Sequence, residues 1–269
     1  MVPSCFDGIC AWAELEVEQH QNGSMRHVLI YSPTLLYDLK KHVTIRLQGF
    51  LGKTNITTFG NWNGKEGGAV HAVQYLTLTS QGCNDAFTAQ VKALEGIRKF
   101  VARSLNREMD SLDVEPDSIC LQRRVFTKVD NEGEFHAASD YRNQDSRVGA
   151  AQKMQRCWVV SHTIKTGLRL ENGSVTRTSH IVFRPGDFVD VSMFADVIEL
   201  RRRKERRLEV QFAMEHVVRL MSVVDVKKVH DLPGSTRPTP VVDAIESGFN
   251  FIEDENVEMN ENGENELVE

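Results

Sequence analysis

No stretch of the 269-residue chain approaches the roughly 18 consecutive apolar residues that a membrane-spanning helix requires. The opening MVPSCFDGIC has neither the basic start nor the long apolar core of a secretory signal. Cysteine is sparse. Five stand at positions 5, 10, 83, 120 and 157, an odd count at scattered spacing that builds no disulfide framework. Reduced thiols and a cytoplasmic or nuclear location are expected. The sequons at Asn22 and Asn172 then read as Asn-Gly turns, and the one at Asn55 carries no weight. Catalytic signatures are also lacking. Gly52-Lys53-Thr54 follows a strand pattern, but a P-loop needs glycine where Leu47 stands. No pair of Cys-x2-Cys units and no His pair at helical spacing occurs, so no metal ligands are assigned. No Gly-x-Ser-x-Gly elbow is present. No catalytic residue and no cofactor is expected. The enzyme class left open is one whose site assembles from dispersed residues.

What is present suits a folded core. Hydrophobic residues make up 41% of the chain and charged ones 26%. The net charge of −6 hides an asymmetry. Asp243–Glu269 holds ten acids and no Lys or Arg. The remaining 28 acids face 32 bases, so a mildly basic body carries a strongly acidic tail.

Period-two alternation predicts strands over 9–17, 25–31, 42–50 and 70–78, with a glycine-rich loop at 52–69. Phe87, Val91, Leu94, Ile97, Val101 and Leu105 recur at spacings of three and four, which predicts an amphipathic helix over 85–108. Lys92, Lys99 and Arg103 lie on its polar side as a solvated face. Further strands are expected near 119–129, 157–164, 168–170, 175–183, 188–198 and 208–220, with a partly helical course as the alternative for the last. The polar stretch 130–150 reads as a long surface loop. Prolines at 233, 238 and 240 mark a linker.

The two strand-rich halves echo each other. Asn22-Gly23-Ser24 recurs as Asn172-Gly173-Ser174, and Val43, Ile45, Leu47 match Val189, Val191, Met193. Val73-Gln74-Tyr75 matches Val210-Gln211-Phe212. These matches predict a duplication, with 43–47 superposing on 189–193. The expected architecture is α+β and mainly antiparallel. It comprises a small β-barrel over 1–83, the amphipathic helix over 84–110, a second related barrel over 111–230, and a linker with a disordered acidic tail over 231–269. In this pattern the chain resembles tandem OB-fold single-strand nucleic-acid-binding proteins. The resemblance implies five-stranded barrels that bind single strands, and carries over no individual residue. The segment FRPGDFVDVSMFADV is also similar to parts of uncharacterised fungal proteins.

The sharpest local feature is Leu200–Leu208, LRRRKERRL, with net charge +5 over seven positions. A solvated hairpin tip and a nuclear-localisation patch are two readings. The third is a phosphate-binding wing of Arg201, Arg202, Arg203, Lys204, Arg206 and Arg207, since clustered cations release counterions from nucleic acid. The 52–69 loop adds Lys53, Phe59, Trp62 and Lys65. Its aromatics either stack on bases or tuck back onto the sheet. The leading expectation is non-enzymatic binding of nucleic acid, single-stranded and with little sequence preference. The alternative is a scaffold whose basic loop meets an acidic protein. The tail is expected to compete electrostatically with phosphate, to bind a protein partner, or to confer solubility.

Overall fold

The computed structural model describes residues 2–3, 5–19, 25–32, 41–107, 117–129, 145–160, 162–202, 205–230 and 251–252. The Asn22-Gly23 turn, most of the 130–150 stretch and the proline linker lie outside them. Helix α1 (Phe6–Trp12) leads into the hairpin β1 (Ala13–Gln19) and β2 (Met25–Tyr31). Strand β3 (Ile45–Asn55) and β4 (Val73–Thr79) precede the long helix α2 (Asn84–Ser104). There follow β5 (Ser118–Arg124), β6 (Phe126–Lys128), the short helix α3 (Val148–Met154), β7 (Trp158–Val160), β8 (Lys165–Arg169) and β9 (Val175–Arg177). The chain then forms β10 (Phe188–Arg202), β11 (Glu205–Met221) and α4 (Val223–His230). Within the acidic tail, Phe251–Ile252 forms β12, parallel to β9.

Strands from both halves share one ten-stranded, mainly antiparallel sheet, ordered β12-β9-β8-β11-β10-β3-β4-β5, with the β1–β2 hairpin attached to β10 through β2. β6 and β7 pair separately. The expected pair of barrels is replaced by one curled sheet, and no closed barrel occurs among the described residues. The likeness between 43–47 and 189–193 has a direct physical setting. β3 and β10 are antiparallel neighbours, with Ile45 opposite Met193 and Leu47 opposite Val191. Cross-strand partners face the same side of a sheet, and here that side is the core, where all four are buried.

The curl brings edge strand β5 round beside β11. No backbone ladder joins them among the described residues. Two guanidinium groups bridge toward β11 instead. Arg123 Nη1 donates to Met214 O at 2.6 Å, and Arg98 Nη2 on α2 donates to Val210 O at 3.0 Å. Burial pushes Arg98 down to about 10, still charged at neutral pH. Inside the curl Leu76, Leu78, Leu121, Val189, Val191 and Met214 meet Ile97 and Val101 of α2. Residues 9–12 extend the period-two pattern of β1, yet they are helical. Ile9 is buried in the core, and a Cβ added at Gly96 of α2 would lie 3.1 Å from its Cδ1.

β10 is locked to β3 by Asp190, whose side chain is 1% exposed. It accepts two hydrogen bonds from Arg46, at 3.2 and 2.8 Å, and one from Gln48 at 2.9 Å. A buried carboxylate needs such partners to offset its desolvation. Further along, His216 of β11 stands opposite Lys165 of β8. Burial, then Lys165 and Arg123, push its pKa down to about 4. The folded protein therefore holds His216 neutral where the unfolded chain takes up a proton. That stability is complete above pH 6.5 and is lost as pH falls toward 4, by at most about 1.4 kcal/mol per pH unit. Denaturant titrations at pH 6.5 and 5.0 are expected to show this loss, and His216→Gln to flatten it.

Candidate nucleic-acid interface

The β3–β4 connection is held from below rather than left open. Phe59 is 0% and Trp62 3% exposed. They join Phe126, Val125, Met154 and Val160 in a second apolar cluster. The Trp62 ring lies edge-on to Phe126, with centroids 4.9 Å apart. Trp62 Nε1 donates to Lys65 O at 2.8 Å. Arg147 reaches in from just before α3, donating to Gly60 O at 3.0 Å and Trp62 O at 2.8 Å. Its guanidinium is paired with Asp145 and lies 5.4 Å from the Phe59 centroid. Gly60 has φ +50°, and a Cβ there would collide with Val73 O, so no other residue fits. Phe59 and Trp62 present no ring face for a base. Lys53 and Lys65, by contrast, are exposed. A register shift between Leu51 and Thr54 marks a bulge at Lys53.

The outward face of β4 and β5 was not singled out by the sequence reading. Strand alternation sends Leu76, Leu78, Ile119 and Leu121 into the core. It leaves Tyr75 and Thr77 on the outer side, opposite Gln122 and Cys120 in register, with Arg124 opposite Val73. Tyr75 is partly exposed, and Cys120 and Arg124 are exposed. One aromatic ring thus shares this face with Gln122, directly opposite it, and Arg124, diagonally across on β5. The clue was present in the sequence as the residues that the same alternation assigns away from the core.

The basic run occupies the end of a long ribbon. β10 and β11 pair from Phe188 to Arg202, with register shifts after Phe188 and Ser192 and an unbroken ladder from Met193 onward. β3 covers β10 only over Phe188–Met193, and β2 only at Asp196 and Val197. Beyond Val197, among the described residues, β10 and β11 pair only with each other. From Ile198 to Arg202 this two-stranded ribbon extends about 14 Å at roughly 3.4 Å per residue. Its register sets Leu200 opposite Arg207, Arg201 opposite Arg206 and Arg202 opposite Glu205. Arg203 and Lys204 lie outside the described residues. Because β10 runs antiparallel to β3, the ribbon and the β3–β4 connection sit at opposite ends of the sheet. The exposed face of β4 and β5 lies between them.

No family model matches this chain, and no curated protein matches it. Solved structures do. Phage single-stranded DNA-binding proteins are among them. The single-stranded DNA-binding protein of bacteriophage Enc34 in complex with ssDNA is 10% identical, with a TM-score of 0.36, covering 78% of this chain and 96% of the phage protein. Its C-terminal truncation gives the same score and identity, over 78% and 95%. The single-stranded DNA-binding protein gp2.5 of bacteriophage T7 is 9% identical, with a TM-score of 0.28, over 66% and 92%.

Proposed function

We propose that this chain binds single-stranded nucleic acid without catalysis and with little sequence preference. The strand would run across the outer face of β4 and β5, between the β3–β4 connection and the basic ribbon. The phage proteins are too distant in shape to lend their ligand to this chain. What carries the reading is the placement of charge. The densest positive run in the sequence lies on a ribbon that no other described strand covers, and its register sets Arg201 opposite Arg206. Like charges directly opposite on a ladder cost stability. An anion held there offsets that cost, and clustered cations release counterions when a phosphate chain binds. The strand order supports the reading too. β3, β4, β5, β10 and β11 make a partly open five-stranded ring, and rings of that class bind oligonucleotides on the face of their second and third strands and on the loops beside it. Here those strands are β4 and β5. The reading gives Lys53 and Lys65 to backbone phosphate and assigns stacking to Tyr75 in place of Phe59 and Trp62.

The test is fluorescence anisotropy with a labelled oligo-dT, competed by an unlabelled single strand, a duplex and polyglutamate. Single strands are expected to compete best. Polyglutamate competing as well as the single strands would favour the scaffold reading. Tyr75→Ala is expected to weaken oligo-dT binding by about 1–3 kcal/mol, the contribution of one stacked base, while Tyr75→Phe keeps most of the affinity. Equal losses for both variants would count against stacking.

A further inference from the structure

The β8–β9 hairpin carries a second cluster of positive charge, away from the basic ribbon. β8 pairs parallel to β11, with Lys165 opposite His216 and Gly167 opposite Val218. β9 pairs antiparallel to β8, with Arg177 opposite Gly167 and Val175 opposite Arg169. Partners in register face one side of a sheet, as do alternate residues of a strand. Lys165, Arg169 and Arg177 therefore share a face, with Gly167 between them adding no side chain. It is the outer face, because Val217, the neighbour of His216 in β11, is part of the core. All three cations are exposed. Among the described residues, none of their side chains makes an ion pair or a hydrogen bond. The acids around them are engaged or lie to one side. Asp190 is buried and held by Arg46 and Gln48, Glu215 and Asp196 act on Arg123, and Glu171 lies in the β8–β9 turn.

We propose that the outer face of β8 and β9 is a second phosphate track, engaged only by single strands long enough to run past Arg124. The inference rests on the single-strand reading above and adds a length requirement to it. Continuity of the surface carries it. β10 fills one side of β11. On the other side β5 reaches the level of Met214, whose carbonyl accepts from Arg123, and β8 begins at His216, two positions on. The exposed Arg124 at the end of β5 thus leads to Lys165 at the head of β8. From Lys165 to Arg169 the face extends about 13 Å at roughly 3.3 Å per residue. β8 and β9 contain no aromatic residue, so they offer charge to the backbone and no stacking to bases. Such contacts add affinity without sequence preference. The tail pairs at the far edge of β9, where Phe251 stands opposite Val175, so the β12 backbone lies beside this face rather than over it. An acidic protein segment would meet the same cations, but it would have no reason to continue from the Tyr75 face.

The test compares an eight-nucleotide and a thirty-nucleotide oligo-dT on the full chain, by anisotropy across a salt series. Eight nucleotides fall within the roughly 4–16 that one such face holds. Lys165→Ser, Arg169→Ser and Arg177→Ser together should flatten the log affinity against log salt plot for the long strand by about 2, at about 0.7 per phosphate. Binding of the short strand should stay within twofold, and thermal melts should not move, since all three positions are exposed. The charge-keeping set Lys165→Arg, Arg169→Lys and Arg177→Lys should retain the slope. An unchanged slope for the long strand overturns the track and leaves the Tyr75 face standing. Equal flattening for both lengths also overturns it, because the cations would then belong to the first site or act through general charge. A carbodiimide cross-link from Lys165 to an acid of 253–269 that persists at saturating long strand would give the patch to the tail and overturn it too. If the unaltered chain binds neither oligonucleotide, the single-strand reading fails and the track falls with it.

Discussion

Replacing Arg201, Arg202, Arg203 and Lys204 together with Ser is expected to flatten the plot of log affinity against log salt by about 3. Each single-strand phosphate contact contributes about −0.7 to that slope, and the four bases are consecutive in the basic run. Between 50 and 200 mM salt, the advantage of the unaltered protein should then shrink roughly 60-fold. All sequences should weaken alike, because phosphate contacts carry no base information. Fold stability should barely change, since beyond Val197 the ribbon pairs with no third described strand. An unchanged salt slope would remove the ribbon from the binding surface. The solvated-tip reading would then stand.

The second large effect is on stability. Phe59→Ala is expected to destabilise the protein by about 3–5 kcal/mol, the usual cost of removing a fully buried aromatic ring. Trp62→Ala should do the same and also release the hydrogen bond to Lys65 O. If these rings instead turned outward to stack on bases, the melts would hardly move. Oligonucleotide affinity would then fall by about 1–3 kcal/mol per ring. Denaturant titration beside anisotropy on the same variants separates the two cases.

Much of the fold is legible in the sequence because period two and period 3.6 are local signals. The strands β2 and β11 and the helix α2 fall close to where alternation and spacing put them. Pairing is not local. Val43, Ile45 and Leu47 have the same pattern as Val189, Val191 and Met193, whether the segments are copies in two barrels or neighbours in one sheet. Only the register of β3 against β10 distinguishes the two. The same limit applies to the loop. Whether Phe59 and Trp62 face out or in depends on Phe126 and on Arg147, whose hydrogen bond to Trp62 O spans 85 positions. No window around the loop contains that information. Ile9 is a different case, because alternation alone could not show that a turn of helix packs it against Gly96. Tyr75, Gln122 and Arg124 were within reach. The alternation that buries Leu76 and Leu121 also turns these three outward.

Cross-linking tests the central claim most directly. An oligonucleotide carrying 5-iodouridine at every position, bound to the full chain at low salt and irradiated, should attach to Tyr75. Cross-linked peptides should cluster on β4, β5 and the 201–207 ribbon. Those adducts should fade as unlabelled single strand is added. Adducts confined to β1, α2 or the β8–β9 hairpin, with Tyr75 unmodified at saturation, would contradict the account.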